Sequence, residues 1–261
     1  MSAAVPLVIK LGGSLLEDEA ARAGVVSAIA GRWLAGERPV LVHGGGKRID
    51  AALAARGIAR RVHEGLRVTD RETLEVVVAV LADVNAGLVR ELRAGGAEAF
   101  GLSEAEGGLI EADDHPPVGG VEVGFVGRVT GVASDRLVGL LERDSLPVLA
   151  PLARGPNGGP LNVNADAAAA AIAAALGARR LLFLTDVEGV ADEAGRFLEL
   201  LDPASAQRLL ESPAVSGGMR PKLAACLAAS GAGVREVVIA GPGRRDDALA
   251  GGRGGTCLVA A

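Results

Sequence analysis

The sequence predicts an α/β protein whose strands form a mainly parallel, open sheet. Short runs rich in Val, Ile and Leu alternate with helical periodicities along the chain, and several of those runs end in glycines that lead straight into a helix. The 261 residues are 49% hydrophobic and 23% charged, enough apolar material for a large core and too little charge for disorder.

The elements follow in order. Leu7–Leu11 reads as a buried strand, followed by a Gly12-Gly13 turn and a helix over residues 17–35. Residues 40–43 form a second strand that ends at Gly44-Gly45-Gly46, and a helix covers 47–56. A long helix starts near Thr69, where Thr69 and Glu72 have capping-box spacing, and runs through Leu74, Val77, Leu81, Leu88 and Leu92 to a Gly95-Gly96 stop. The middle changes character. Residues 97–102, 108–112, 121–126 and 128–132 are short runs punctuated by Gly and Pro, which predict hairpins protruding as a small antiparallel layer. Ser134 caps the next helix, and 146–150 is a strand. The second half repeats the grammar. Asn164 caps an Ala-rich helix over 165–176, a strand covers 181–185, Pro203 opens a helix, and another covers 219–230. A strand at Glu236–Ala240, a short helix at 246–250 and a strand at Thr256–Val259 close the chain. With no repeat of fixed period and no Pro- or Ser-rich linker, residues 1–152 and 153–261 are expected to be lobes of one continuous sheet, divided within 152–159.

Composition excludes several functions. Aromatic residues are 2% of the chain, with Trp33, four Phe and no Tyr, so base stacking is a poor explanation of function. The net charge is −5, from 27 Lys+Arg against 32 Asp+Glu, with no basic run to follow a nucleic-acid backbone. The start shows no basic leader with a cleavage site, Lys10 interrupts the first apolar stretch, and the Ala-rich run 167–178 is too short to span a bilayer. A cytoplasmic protein without a membrane partner is expected. Cys226 and Cys257 each stand alone, without a zinc-spaced neighbour, and read as reduced, buried thiols.

In open α/β sheets ligands lie beyond the carboxyl ends of the strands, so the residues there are the candidates. The first strand ends in Lys10-Leu11-Gly12-Gly13, the second in His43-Gly44-Gly45-Gly46, and later ones lead into Asn162-Val163-Asn164-Ala165-Asp166 and Thr185-Asp186-Val187. Glycines let the backbone approach an anion, and a helix N-terminus aims N–H groups at it. Two such turns on adjacent strands can hold two anionic groups side by side. Each piece also has a bland reading: Lys10 a solvated strand-end lysine, Asn164 and Asp166 a cap and a first-turn acid, Lys222 an exposed helix lysine, Arg67 the partner of a surface acid, His43 a hydrogen-bonded structural histidine. Neither the P-loop pattern nor G-x-G-x-x-G is present.

Six motifs in register bear a closer likeness. Ile9-Lys10-Leu11-Gly12-Gly13, His43-Gly44-Gly45-Gly46, Gly65-Leu66-Arg67-Val68-Thr69-Asp70, Asn162-Val163-Asn164-Ala165-Asp166, Thr185-Asp186-Val187 and Ser216-Gly217-Gly218-Met219-Arg220-Pro221-Lys222 resemble the acetylglutamate kinases of the amino acid kinase family, over nearly the whole chain. The resemblance implies a three-layer α/β/α sandwich with a protruding β-hairpin lid, an N-terminal lobe for the acyl amino acid and for dimerisation, and a C-terminal lobe for ATP. It implies phosphorylation of the γ-carboxylate of N-acetyl-L-glutamate by MgATP. By similarity Lys10 and Lys222 stabilise the phosphoryl group in transit and Asp166 holds both. Gly12, Gly44 and Gly45 supply backbone N–H donors. Arg67 and Asn162 bind the acyl amino acid, for which a bidentate guanidinium is suited. Gly12, Gly13, Thr185, Asp186, Gly217, Gly218 and Met219 are the nucleotide-binding set. This chain departs from many relatives in carrying Glu104-Ala105-Glu106-Gly107 and an acidic lid hairpin with Glu111, Asp113 and Asp114. The short segment before the first strand leaves no room for the extra N-terminal helix of arginine-inhibited members, so an arginine-insensitive homodimer is expected. The rival readings are a kinase of carrier-linked aminoadipate or of another N-acylglutamate, and a non-catalytic nucleotide sensor on the same fold.

Overall fold

A computed structural model of the chain describes residues 6–103, 108–213 and 215–259. The acidic run 104–107 and the first five residues lie outside the described residues. β1 (Leu7–Leu11), β2 (Pro39–His43) and β11 (Arg180–Leu184) are buried at every position, so helices cover both faces of the sheet they form. With β5 (Ala99–Leu102), β8 (Leu146–Leu149), β14 (Leu200–Leu201), β15 (Glu236–Ala240) and β16 (Thr256–Val259) they make one eight-stranded sheet, ordered β14-β16-β15-β11-β1-β2-β8-β5. Its pairings are parallel except β15 with β16. One continuous sheet therefore runs through both halves of the chain, joined where β1 pairs with β11.

The helices form where apolar stripes recur. α2 (Glu19–Leu34) is the helix expected over 17–35, started by Asp18, which adopts an extended backbone and caps it by accepting from Ala21 N–H, and a short α1 (Gly13–Glu17) precedes it where the sequence suggested a turn. α3 (Gly46–Ala55) follows the second glycine turn, and the short hairpin β3 (Val62–His63) and β4 (Leu66–Arg67) follows it. α4 (Arg71–Ala94) buries Leu74, Val77, Leu81, Val84, Leu88 and Leu92 at helical spacing. Its cap is Asp70, which accepts from Thr73 N–H at 2.9 Å, and not Thr69, whose buried hydroxyl donates to Arg67 O. α5 (Ser134–Glu142) starts at Ser134 with Ala133 at the cap position, so Ser134 gives no side-chain cap.

The middle of the chain bears out the expected antiparallel layer only in part, with 110–114 paired antiparallel to 126–132. Residues 99–102 belong to the main sheet as its edge strand β5, in parallel register with β8. β6 (Ile110–Asp114), β7 (Val126–Val132), β9 (Leu152–Arg154) and β10 (Pro160–Val163) close instead into a small barrel with both parallel and antiparallel pairs. The stretch 152–159 is thus part of a hairpin in this barrel. α6 (Ala165–Ala175) is capped by Asn164 as expected. β12 (Val190–Ala191) and β13 (Phe197–Leu198) form a hairpin before α7 (Pro203–Glu211) and α8 (Met219–Gly231), and α9 (Arg245–Leu249) precedes β16. α6 packs on α8, while α2 packs on α4 and α9. Both cysteines are buried, and burial pushes both thiols up from their ordinary range. Among the described residues no helix is long and apolar enough to cross a membrane.

Candidate active site

Lys10 is the single charged residue of β1, and the register sets it beside Val42 on β2 and Phe183 on β11. It lies near the carboxyl end of β1, where the strand order turns from one half of the chain to the other. Asn164, just past β10, accepts from the Asp166 and Ala167 amides at 2.9 and 3.0 Å. That cap fixes Asp166 in the first turn of α6. Lys222 comes from the first turn of α8, which packs on α6.

The three side chains converge. Lys10 Nζ lies 2.7 Å from Asp166 Oδ1, and Lys222 Nζ donates to Asp166 Oδ2 at 2.9 Å. Their exposures are 7% for Lys10, 7% for Asp166 and 6% for Lys222, so neither lysine is the solvated side chain of the bland reading. The contact with Lys10 is close but off-angle for a hydrogen bond, since Oδ1 has no aligned donor among the described residues. It is a charge contact first. Burial disfavours the Asp166 anion, but the two ammonium groups outweigh it and hold its carboxyl at about 2. Lys10 is drawn below the ordinary lysine value by burial and by Lys222, against the attraction of Asp166 and Asp186. Lys222 Nζ also lies 5.3 Å from the centre of the Phe183 ring.

A cavity of about 390 Å³ opens beside this cluster. Lys10, Asp166, Gly13, Gly44, Gly45, Arg67 and Asn162 are on its wall, so the residues expected to hold an acyl amino acid are brought together with one of the two lysines. Asn162 Nδ2 donates to Thr69 Oγ1 at 3.2 Å. Arg67 is largely buried and lies 2.6 Å from Asp50, so the expected acid partner exists, on the cavity wall.

Two glycines differ from expectation. Gly12 N–H donates to Leu184 O at 2.7 Å and Gly44 N–H to Leu11 O at 3.0 Å, extending the ladders of β1 with β11 and of β2 with β1. Those amides are committed to the backbone and are not donors for a ligand. The first turn needs a glycine at one position: a Cβ on Gly12 would sit 2.8 Å from Leu184 O, whereas one on Gly13 would meet Gly46 N only at an ordinary 3.8 Å. The two turns are side by side, and Gly45 N–H has no acceptor among the described residues.

His43 beneath the second turn is structural, in line with the bland reading. Its Nδ1–H donates to Gly44 O at 2.9 Å and its Nε2 accepts from Asn85 Nδ2 at 3.1 Å. Burial pushes the ring down to about 4, with Lys10 and Arg48 adding to it against the Gly44 bond. Asn85 also donates to Val148 O at 2.9 Å, tying α4 to β8. Sequence reasoning missed both Asn85 and Asp50. The signal for Asn85 was a lone amide within the apolar stripe of α4, between Leu81 and Leu88.

The nucleotide candidates approach from the other half. Thr185 is buried just past β11, where its N–H donates to Ala240 O and its hydroxyl to Asp186 Oδ1 at 3.1 Å. Gly217, at φ +54°, lines a second cavity of about 760 Å³, with Arg220 and Glu64 also on its wall. Gly218 and Met219 open α8 one turn before Lys222. These residues do not share the wall of the first cavity. Among the described residues no cluster of three His, Cys, Asp or Glu could hold a metal ion. Asp166 is already neutralised by lysines.

The sequence pattern of the amino acid kinase family matches residues 6–241. The chain is 42% identical over 259 residues to an acetylglutamate kinase of Solibacter usitatus (strain Ellin6076), covering 98% of this chain and 99% of that one. It is 44% identical over 239 residues to an acetylglutamate kinase of Methanopyrus kandleri, covering 89% and 93%. In three dimensions it is similar to the N-acetylglutamate synthase of Neisseria gonorrhoeae complexed with coenzyme A and N-acetyl-glutamate. The TM-score is 0.86 at 25% identity, over 98% of this chain and 59% of that longer one.

Proposed function

The chain belongs to the amino acid kinase family, and on that premise we infer that it is a phosphotransferase with a carboxyl group as acceptor. It transfers the γ-phosphoryl group of ATP to the side-chain carboxylate of N-acetyl-L-glutamate, giving N-acetyl-L-glutamyl 5-phosphate and ADP, an early step of arginine biosynthesis. The observation that carries the residue roles is one buried carboxylate held between two ammonium groups from distant parts of the chain, beside a cavity of substrate size.

A carboxylate is already an anionic nucleophile, so no general base is needed. The barrier is bringing that anion up to a polyphosphate, and the remedy is positioning with charge neutralisation. Lys10 faces the acyl pocket, and Lys222 reaches the same carboxylate from the α8 side, where Gly217, Gly218 and Met219 precede it. In this reading the two ammonium groups flank the phosphoryl group as the oxygen of the acceptor bonds to phosphorus and the bond to ADP breaks. Asp166 keeps both lysines in place and lets two cations share a buried space. Gly45 N–H, with Gly13 beside it, points at the acceptor and phosphoryl oxygens. Arg67 and Asn162 hold the acyl amino acid, while Thr185 and Asp186 face the nucleotide. Mg²⁺ enters as part of MgATP. Residues 1–152 carry most of the acyl site, with Asn162 and Asp166 reaching in from residues 153–261, which carry the nucleotide site.

We further propose that the protein works in the cytoplasm as a homodimer. The open edge of β5, with Phe100 40% exposed, supports an N-terminal contact between copies. Light scattering that returns a monomer removes that part of the reading. Activity is tested by trapping the acyl phosphate with hydroxylamine, offering N-acetylglutamate, N-succinylglutamate and aminoadipate side by side with MgATP. Hydroxamate from N-acetylglutamate well above the other two is expected; preference for another acceptor, or none formed, would overturn the assignment.

A further inference from the structure

Asp50 is an unexpected neighbour for a carboxylate ligand. The cavity is built to take an anion, yet besides lysine-bound Asp166 a second carboxylate lies on its wall. Asp50, one turn into α3, has Oδ1 2.6 Å from Arg67 Nη2 and Oδ2 3.1 Å from Arg60 Nε. The contact with Arg67 is short but badly aligned. Asp50 Oδ1 and Arg67 Nη1 are both buried, and neither makes a properly angled hydrogen bond to any described residue. Arg67 Nη2 also donates to Gly46 O at 3.3 Å. A guanidinium offers a carboxylate two forks, the end-on pair of Nη atoms and the side-on pair of Nε and Nη2, and both include Nη2. With Nη2 engaged on Asp50 and Gly46, Arg67 in this arrangement offers an incoming acid neither fork. The bidentate grip expected from the sequence requires Asp50 to give way.

We propose that Asp50 is an internal stand-in for the substrate's carboxylate, holding Arg67 against the cavity wall until an incoming acid takes its place. This rests on the reading of Arg67 as the residue that binds the acyl amino acid. The exchange leaves the charge at the guanidinium unchanged and replaces an ill-aligned contact by an aligned, charge-assisted pair of hydrogen bonds. Arg60, on the other oxygen of Asp50, keeps the released carboxylate company, so no isolated anion is left behind. An amide or ester in the same position brings no charge with which to displace Asp50. The device therefore selects the free acid over its neutral isostere by making every ligand compete for Arg67.

Asp50→Asn keeps the shape of a partly exposed side chain and removes its charge, so the fold is expected to survive. The readouts are calorimetric titration of the full chain with N-acetylglutamate and steady-state kinetics by hydroxamate trapping. The expected result is binding tighter by roughly 3- to 10-fold with KM falling in parallel and kcat within about twofold of the wild type. In an Arg67→Met background the same substitution is expected to tighten nothing, because Asp50 then has no Arg67 to hold. Equal tightening in both backgrounds means simple removal of a repelling charge and overturns the proposal. Unchanged or weaker binding in Asp50→Asn, with a wild type that turns over normally, also overturns it, the latter making Asp50 a clamp that orients Arg67. A wild type that neither binds nor phosphorylates N-acetylglutamate overturns the functional assignment and this proposal with it.

Discussion

Asp166→Asn probes the buried charge cluster most directly. The amide keeps the volume and loses the charge, depriving two ammonium groups that lay 2.7 and 2.9 Å from the carboxylate oxygens of their shared counterion. Linkage sets the lower end of the cost. A carboxyl that titrates at about 2 in the fold and at 3.8 otherwise favours the folded state by about 2 kcal/mol once ionised. The upper end comes from removing one partner of a buried ion pair, about 3–5 kcal/mol. Urea unfolding at pH 7 is therefore expected to find the variant less stable by about 2–5 kcal/mol, with turnover lowered as well. The pH dependence has a definite sign. Because the folded value is depressed, the carboxylate's contribution is complete above about pH 4, roughly half present at pH 3, and gone below about pH 2. The gap between wild type and variant should narrow on acidification through that window. Equal stabilities at pH 7, or a gap that stays constant from pH 5 to pH 3, would refute the placing of Asp166 as the shared counterion.

Other expected outcomes are independent of that one. Lys10→Met and Lys222→Met should each lower kcat by ~10²–10³, a transition-state loss of roughly 3–4 kcal/mol, while KM for either substrate moves only a few-fold; steady-state kinetics decide. The buried His43 ring, held down to about 4, takes up its proton in the unfolded chain first, so stability falls as pH drops from about 6.5 to about 4, by about 3 kcal/mol in all. Chemical denaturation across that range should show the loss in the wild type and a flatter profile in His43→Gln. Gly101→Ala drives its new Cβ into Asn85 Oδ1 and to within 3.3 Å of Val89, which should cost roughly 1–3 kcal/mol and appear as a lowered Tm. A melt indistinguishable from the wild type would mean that Asn85 yields easily.

What could be read from the sequence was whatever local pattern alone dictates. β15 and β16 coincide with the expected runs, and Asn164 caps α6, because an apolar run bounded by turn residues and a side-chain cap are both written within a few positions. Residues 99–102 were misplaced because a strand's partner is set by long-range pairing, and nothing in Ala-Phe-Gly-Leu says that it lies against β8 rather than in a hairpin. The short α1 was missed because five residues are too few to show a helical period, whereas the sixteen of α2 are enough. Spacing alone marked Lys10 and Lys222 as candidates, and the family resemblance was needed to make them partners, because their meeting point is an acid 56 residues before Lys222 in sequence. The committed amides of Gly12 and Gly44 were invisible for a different reason. Spacing shows where a backbone can come close, whereas which acceptor an N–H chooses depends on the neighbouring strand. Asp50 had no signal beyond being polar on a helix, and only its distance to Arg67 makes it relevant.

The first strand of the chain is flanked by β2 on one side and by β11 on the other. During vectorial synthesis its first neighbour leaves the ribosome soon after it, but the second follows only when most of the polypeptide has been made. One flank of an almost wholly apolar segment must therefore be kept from premature association throughout most of translation. Until β11 has emerged that flank has no strand to pair with, and the charge cluster cannot assemble before Lys222 has been made.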